Sequence, residues 1–346
     1  MPHPFTDLID LAAERLGGAV LVANDEFFAP KEGLLKASPA EWREGAYTER
    51  GKWMDGWETR RRRSPGYDWC IIRLGLPGVV RGVVVDTSFF RGNFPESCSL
   101  DGCAVSGTPT PEELVRTDIW TEVLPMSRLA GDSRNEFAVA APGRFTHLRL
   151  NIFPDGGVAR LRVFGDVIPD PARVDGSRGE VDLAAMENGA YVTRCSDMFF
   201  GHRNNLILPG RSTHMGDGWE TKRRRGPGHD WTIVRLATTG TIHRVEVDTD
   251  HYKGNAPAEC SLEGCAEPAG ATSGDLTDDL TDDLTDGART WWELMPRTAL
   301  QPHTRHHFER EIARTVPVSH VRFNIYPDGG IARLRLLGTP APRGAA

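Results

Sequence analysis

Glu58, Arg60 and Arg62 lie at alternate positions of "WETRRRR", and Glu220, Lys222 and Arg224 repeat the pattern in "WETKRRR". In an extended chain alternate side chains share a face, so each run sets a carboxylate beside two cations. Arginine grips a planar anion through parallel N–H donors, and a neighbouring carboxylate accepts N–H bonds from a neutral amide or urea. Asp55 and Asp68 bracket the first run, and Asp217 and Asp230 bracket the second. Trp53, Trp57 and Trp69 surround the first, as Trp219 and Trp231 do the second. A small-anion site is the chemistry this pattern favours over a merely solvated charged strand.

A formal net charge of -7 and the aspartates beside each short basic run argue against nucleic acid as a partner. Around the two runs, Asp86 and Asp248 end a strand outward, and Asn93 and Asn255 sit in "GN" turns; all four join the binding set at lower weight. His229, where the first run has Tyr67, is added to them. His303, His306 and His307 in "HTRHHFE" have a spacing that would share one helix face, so a divalent metal is left open with no ligand set assigned. No G-x-S-x-G elbow is present, and no cysteine has a histidine beside it in sequence.

These residues need a scaffold, and the chain supplies it twice. Gly56 to Cys103 aligns without a gap with Gly218 to Cys265, and "THLRLNIFPDGGVARLRVFG" reappears as "SHVRFNIYPDGGIARLRLLG". A repeat of this length is a whole domain. Residues 1–168 are expected to form the first repeat with a short helix near Thr6 to Arg15, 169–186 a linker, and 187–346 the second repeat. In "RGVVVDT", Val83 and Val85 alternate with Val84, and in "HLRLNIF" Leu148, Leu150 and Ile152 alternate with His147, Arg149 and Asn151. Such short alternating strands with Gly and Pro punctuation predict an all-β fold of two antiparallel sandwiches, with "PDGG" as a hairpin turn. The first repeat has extra residues between Phe28 and Asp55, and the second an acidic "DLTDDLTDDLTDG" insert; both are expected to be loops.

At 346 residues with 39% hydrophobic and 26% charged side chains, the composition is that of a soluble globular protein. No apolar run approaches the length of a membrane span, and the N-terminus lacks a basic-then-apolar leader, so a cytoplasmic location is expected. Six cysteines do not make a disulfide framework and are expected as reduced thiols.

The stretches "NDEFFAPKEGLLK", "RGKWMDGWETRRRR", "DWCIIRLG", "DTSFFRGNFPES" and the paired "NIFPDGGVARLR" and "NIYPDGGIARLR" resemble the allantoicase family over nearly the whole chain. The resemblance implies tandem jelly-roll domains similar to galactose-binding modules. It also implies conversion of allantoate and water to ureidoglycolate and urea, with allantoate as the small-molecule partner. Urea leaves intact, so the bond to break joins the central carbon to a ureido nitrogen. On this footing Arg60 and Arg62, or Lys222 and Arg224, are expected to hold the carboxylate, with Asp68 and Asp230 nearby. Asp55, Glu58, Asp217 and Glu220 are the acid and base candidates. The repeats differ at several of these positions, and which one works is left open. A homo-oligomer is expected. The rival is a non-catalytic tandem module that binds a carboxylated ligand or a carbohydrate.

Overall fold

The computed structural model describes residues 5–175, 179–266 and 290–342; the acidic DLTD insert lies outside them. The described residues divide into two compact units that part between Ile168 and Pro169. Each is built around one long strand, Asp68–Asp86 in the first and Asp230–Asp248 in the second.

In the first unit, residues 68–73 pair with Ala19–Ala23 on one side and Phe145–Phe153 on the other. That sheet continues through Ser97–Cys103 to Thr121–Arg128. The far half of the same strand pairs instead with Arg160–Val167 and Arg134–Ala138, and Ile9–Asp10 closes that edge. One strand therefore serves two antiparallel sheets, the device that makes a jelly-roll sandwich from one chain. The second unit repeats it: Asp230–Asp248 pairs first with Tyr191–Cys195 and Pro317–Tyr326, then with Arg333–Pro340 and Arg305–Phe308. Val181–Asp182, in the stretch expected to link the repeats, already pairs with Arg333–Pro340 as an edge strand.

The alternation read from sequence fills the core. Leu148, Leu150 and Ile152, with Phe323 and Ile325 of the second unit, are all buried, each side chain contributing about 1.5–3 kcal/mol of burial. Val84 is buried as well as Val83 and Val85, so this strand is covered on both faces. His147 and Asn151, expected on the open face, are also buried. Asn151 meets the cost by donating to Ser99 Oγ at 3.0 Å and Asp101 Oδ2 at 2.9 Å.

Two local expectations fail. Thr6 to Arg15 is no α-helix: 3-10 turns at Phe5–Asp7 and Glu14–Leu16 flank the strand Ile9–Asp10. Pairing at the open sheet edge, where Leu11 N–H donates to the Val163 carbonyl at 2.7 Å, outweighs helical propensity. "PDGG" is not a hairpin either. It carries the chain from one sheet to the other through Gly157–Val158, which pairs with Trp57–Glu58.

Cys70, Cys98 and Cys260 are buried thiols, and burial pushes Cys98 and Cys260 up to about 12 and Cys70 upward as well. Because the thiolate is the reactive form, all three should resist iodoacetamide in the native protein at pH 8 and label on unfolding. Peptide mass mapping checks this, and native labelling at any of them contradicts the packing. Among the described residues no helix is long and apolar enough to cross a membrane.

Candidate functional site

The duplicated run is anchored by its tryptophans. Trp57 and Trp219 are fully buried, and their indole N–H groups donate to the carbonyls of Asp25 at 2.8 Å and Asp197 at 2.9 Å. They are core pegs. Strand pairing covers only Trp57–Glu58 and Trp219–Glu220. Gly56 packs so tightly under this strand that a Cβ there would lie 2.4 Å from the Val158 carbonyl oxygen. Beyond Glu58 the backbone is held by side chains: Asp25 accepts from Arg60 N–H at 2.9 Å, and Asp155 from Arg62 N–H at 2.8 Å. The strand alternation stops there, so Glu58 does not share a face with Arg60 and Arg62 as expected.

Glu58 faces a cavity of about 620 Å³ lined by Phe28, Trp42, Lys52, Met54, Phe89, Arg91 and Asn93. Its side chain is buried, and Asn93 Nδ2 donates to Oε1 at 2.7 Å. Asn93 is a turn residue whose own carbonyl accepts from Gly157 N–H at 2.8 Å, so the turn fixes the donor. Burial raises the Glu58 pKa above the usual carboxylate value, and the Asn93 hydrogen bond opposes this only in part. A carboxyl raised in this way and facing a cavity is suited to give and take a proton. Lys52 lies over the Trp42 ring at 4.2 Å. Both come from the segment between Phe28 and Asp55, longer in the first repeat, which forms a small hairpin at Tyr47–Thr48 and Gly51–Lys52.

The second unit repeats the core of this arrangement. Asn255 Nδ2 donates to Glu220 Oε1 at 2.6 Å, in a cavity of about 600 Å³ that also reaches Arg223, Asp328 and Phe200. Glu220 is half-buried where Glu58 is buried.

Asp55 and Asp217, expected as acid or base, are ion-pair partners of buried arginines, Asp55 itself buried and Asp217 partly so. Asp55 Oδ2 accepts from Arg160 Nη2 at 2.5 Å and Oδ1 from Lys36 Nζ at 2.8 Å, with only 2% of the Arg160 side chain exposed. Burial alone would raise the Asp55 pKa, but the Arg160 and Lys36 hydrogen bonds more than offset it and hold the carboxyl below its usual value. Asp217 likewise pairs with Arg333 at 2.9 Å. Neither lines the glutamate cavity of its unit.

The basic run forms a separate, shallower recess of about 380 Å³. Arg60 pairs with Asp25 at 2.6 Å, and Arg62 with the buried Asp68 at 2.6 Å. In the second unit Lys222 pairs with Asp197 at 3.2 Å, and Arg224 with Asp230. These four cations are thus neutralised by aspartates and do not line the glutamate cavities. The Arg60–Asp25 pair, with Arg60 largely exposed, is worth about 1 kcal/mol or less. Arg60→Ala should therefore change thermal stability and urea release from allantoate only slightly, whereas a hundredfold drop in urea release would return Arg60 to the substrate site.

Other expected site residues serve local structure. Asp86 accepts from Ser88 N–H at 2.8 Å and Asp248 from Asp250 N–H at 2.9 Å, as turn formers. The His229 ring centroid lies 4.6 Å from that of Tyr326, and its Nε2 is 3.2 Å from Asn324 Oδ1, outside the Glu220 cavity. The three histidines do not share a helix face, because Arg305–Phe308 is a strand and turns His306 and His307 to opposite sides. Among the described residues no group of three or more His, Cys, Asp or Glu side chains is placed to hold a metal ion.

Sequence reasoning missed Trp42, Lys52 and Arg91 as lining residues and Asp25 and Asp155 as clamps. The excess length between Phe28 and Asp55 was the one signal that the first repeat carried something extra.

Fold and site together define a tandem jelly-roll protein with a Glu–Asn pair set in a small-molecule cavity of each repeat. The allantoicase repeat profile matches residues 9–168 and again 181–341. "Probable allantoicase 2" of Burkholderia pseudomallei is 49% identical over 331 residues, covering 95% of this chain and 94% of that protein. "Probable allantoicase" of Pseudomonas aeruginosa is 46% identical, covering 97% of each. The crystal structure of allantoicase from Saccharomyces cerevisiae superposes with a TM-score of 0.76 at 34% identity, covering 95% of this chain and 92% of that one. The chain belongs to the allantoicase family.

Proposed function

We propose that the chain hydrolyses allantoate to ureidoglycolate and urea, and that the chemistry takes place in the Glu58 cavity of the first repeat. The observation that carries this assignment is a buried carboxyl, its pKa raised by burial, that Asn93 fixes in a cavity lined also by Lys52.

The central carbon of allantoate bears a carboxylate, a hydrogen and two ureido groups. Lys52 is placed to neutralise the carboxylate, while the Glu58–Asn93 pair faces a ureido group; Arg91 lines the same cavity but pairs with Asp132 at 3.0 Å. Protonated Glu58 donates to the nitrogen of the departing ureido group as its bond to carbon breaks. The lone pair of the remaining ureido nitrogen supports the carbon, and urea leaves. Water then adds to that carbon and gives its proton to the Glu58 carboxylate, which restores the acid and yields ureidoglycolate. Trp42, Phe28, Met54 and Phe89 supply apolar walls that limit competing water.

Urea release by the purified protein tests the function. Reaction in oxygen-18 water tests the bond: label is expected in the ureidoglycolate hydroxyl, and label in urea instead overturns C–N cleavage at the central carbon. Repeating the assay after a chelator, with metal added back, reads whether the divalent metal left open by the sequence takes part.

A non-catalytic module gains nothing from a carboxyl whose proton affinity burial raises, which favours the enzyme over the binding rival. A homo-oligomeric, cytoplasmic enzyme without a nucleic-acid partner completes the proposal, with the net charge of -7 supporting the last point.

A further inference from the structure

We infer that the Glu220 cavity of the second repeat is a distinct binding site for a ureido acid, which it holds without turning it over. The inference rests on the Glu58 cavity being the catalytic one.

The two cavities keep the same grip and differ in everything around it. Asn255 Nδ2 to Glu220 Oε1, at 2.6 Å, reproduces the Asn93–Glu58 contact at 2.7 Å, so the pair can accept and donate to a ureido group in the same way. The walls diverge through identifiable substitutions. In the first repeat the Phe94 ring packs over Gly131, where a Cβ would lie 2.4 Å from it, and does not line the Glu58 cavity. The aligned residue of the second repeat is Ala256, which lines the cavity, and the space opens toward Arg223 and Asp328. Arg223 is exposed and has no ion-pair partner among the described residues, unlike its neighbours Lys222 and Arg224. A free guanidinium across from a Glu–Asn pair matches a small molecule with a carboxylate at one end and a ureido group at the other.

What the second cavity lacks is the apparatus for chemistry. The hairpin that brings Trp42 and Lys52 to Glu58 has no counterpart, and His214, aligned with Lys52, is exposed and does not line the cavity. Glu220 is left half-buried, with the exposed Phe200 as its nearest equivalent of a cover. Binding groups without a dry acid make a receptor site.

Isothermal titration of allantoate into the Glu58→Gln protein, whose turnover is blocked, tests this. Introducing Arg223→Met, or Ala256→Phe to restore the missing ring, should remove one binding equivalent per chain. Two variants are used because the added ring could disturb packing; circular dichroism reports whether each is folded. Loss of one equivalent with either folded variant supports the site. An unchanged stoichiometry with both, or no binding of allantoate to the Glu58→Gln protein, overturns it. Urea release by Glu220→Gln in an otherwise intact chain separates this from failure of the parent reading. A loss as deep as that of Glu58→Gln overturns the receptor role, whereas full activity of Glu58→Gln overturns the catalytic assignment instead.

Discussion

Glu58→Gln lowers urea release from allantoate by about 10²- to 10⁴-fold, the usual contribution of one general acid–base group. Glutamine keeps the shape and the contact with Asn93 but cannot exchange the proton. Stability should move in the other direction. Burial raises the Glu58 pKa, so the folded protein holds this proton more tightly than the unfolded chain does. Its contribution to stability is then greatest below the unfolded value of 4.5 and is lost as pH rises through the folded pKa. Above that range the ionised carboxylate is a buried charge, which glutamine removes. The variant should therefore lose urea release to that extent and, above the folded pKa, be at least as heat-stable as the parent. Urea release and a thermal melt on the same sample decide it: activity within threefold of the parent removes Glu58 from the chemistry. In the parent, kcat should fall as pH rises through the folded pKa of Glu58, because the donating form disappears.

Asp55→Ala should cost about 3–5 kcal/mol of stability, the penalty for breaking a buried ion pair and leaving its partner charged. Arg160 has only 2% of its side chain exposed, and removing Asp55 strands its guanidinium in the interior. The Asp55 pKa is depressed below 3.8, so the pair's contribution is present above that value and is lost as pH falls through the folded pKa. Acid unfolding below about pH 4 should accordingly be less steep in Asp55→Ala than in the parent. Chemical denaturation at pH 7 measures the loss. An unchanged midpoint with abolished urea release would restore Asp55 to the catalytic role the sequence suggested.

That reversal marks how far the sequence reached. Asp55 and Glu58 stand three positions apart beside the same arginines, and nothing local distinguishes an acid paired in the interior from one that faces a cavity. The deciding residue, Arg160, lies 105 positions away from Asp55. Likewise "WETRRRR" reads as one alternating strand, yet only Trp57–Glu58 has a pairing partner. Asp25 and Asp155 then turn the remaining arginines into a recess of their own. The three histidines look like a helical face because spacing alone does not reveal that their segment is a strand.

By itself the sequence determined the duplication, the all-β class and the family, because strand periodicity and a gapless repeat are properties of neighbouring residues. It also determined that a carboxylate, an asparagine and cations recur in each half. Only the tertiary structure showed that Glu58 faces a cavity while Asp55 pairs with Arg160, and that the two cavities have different walls. Those outcomes depend on burial and on partners brought together across the sandwich. A pKa or a cavity wall is set by every chain segment that folds around it, and not by the segment that carries the residue.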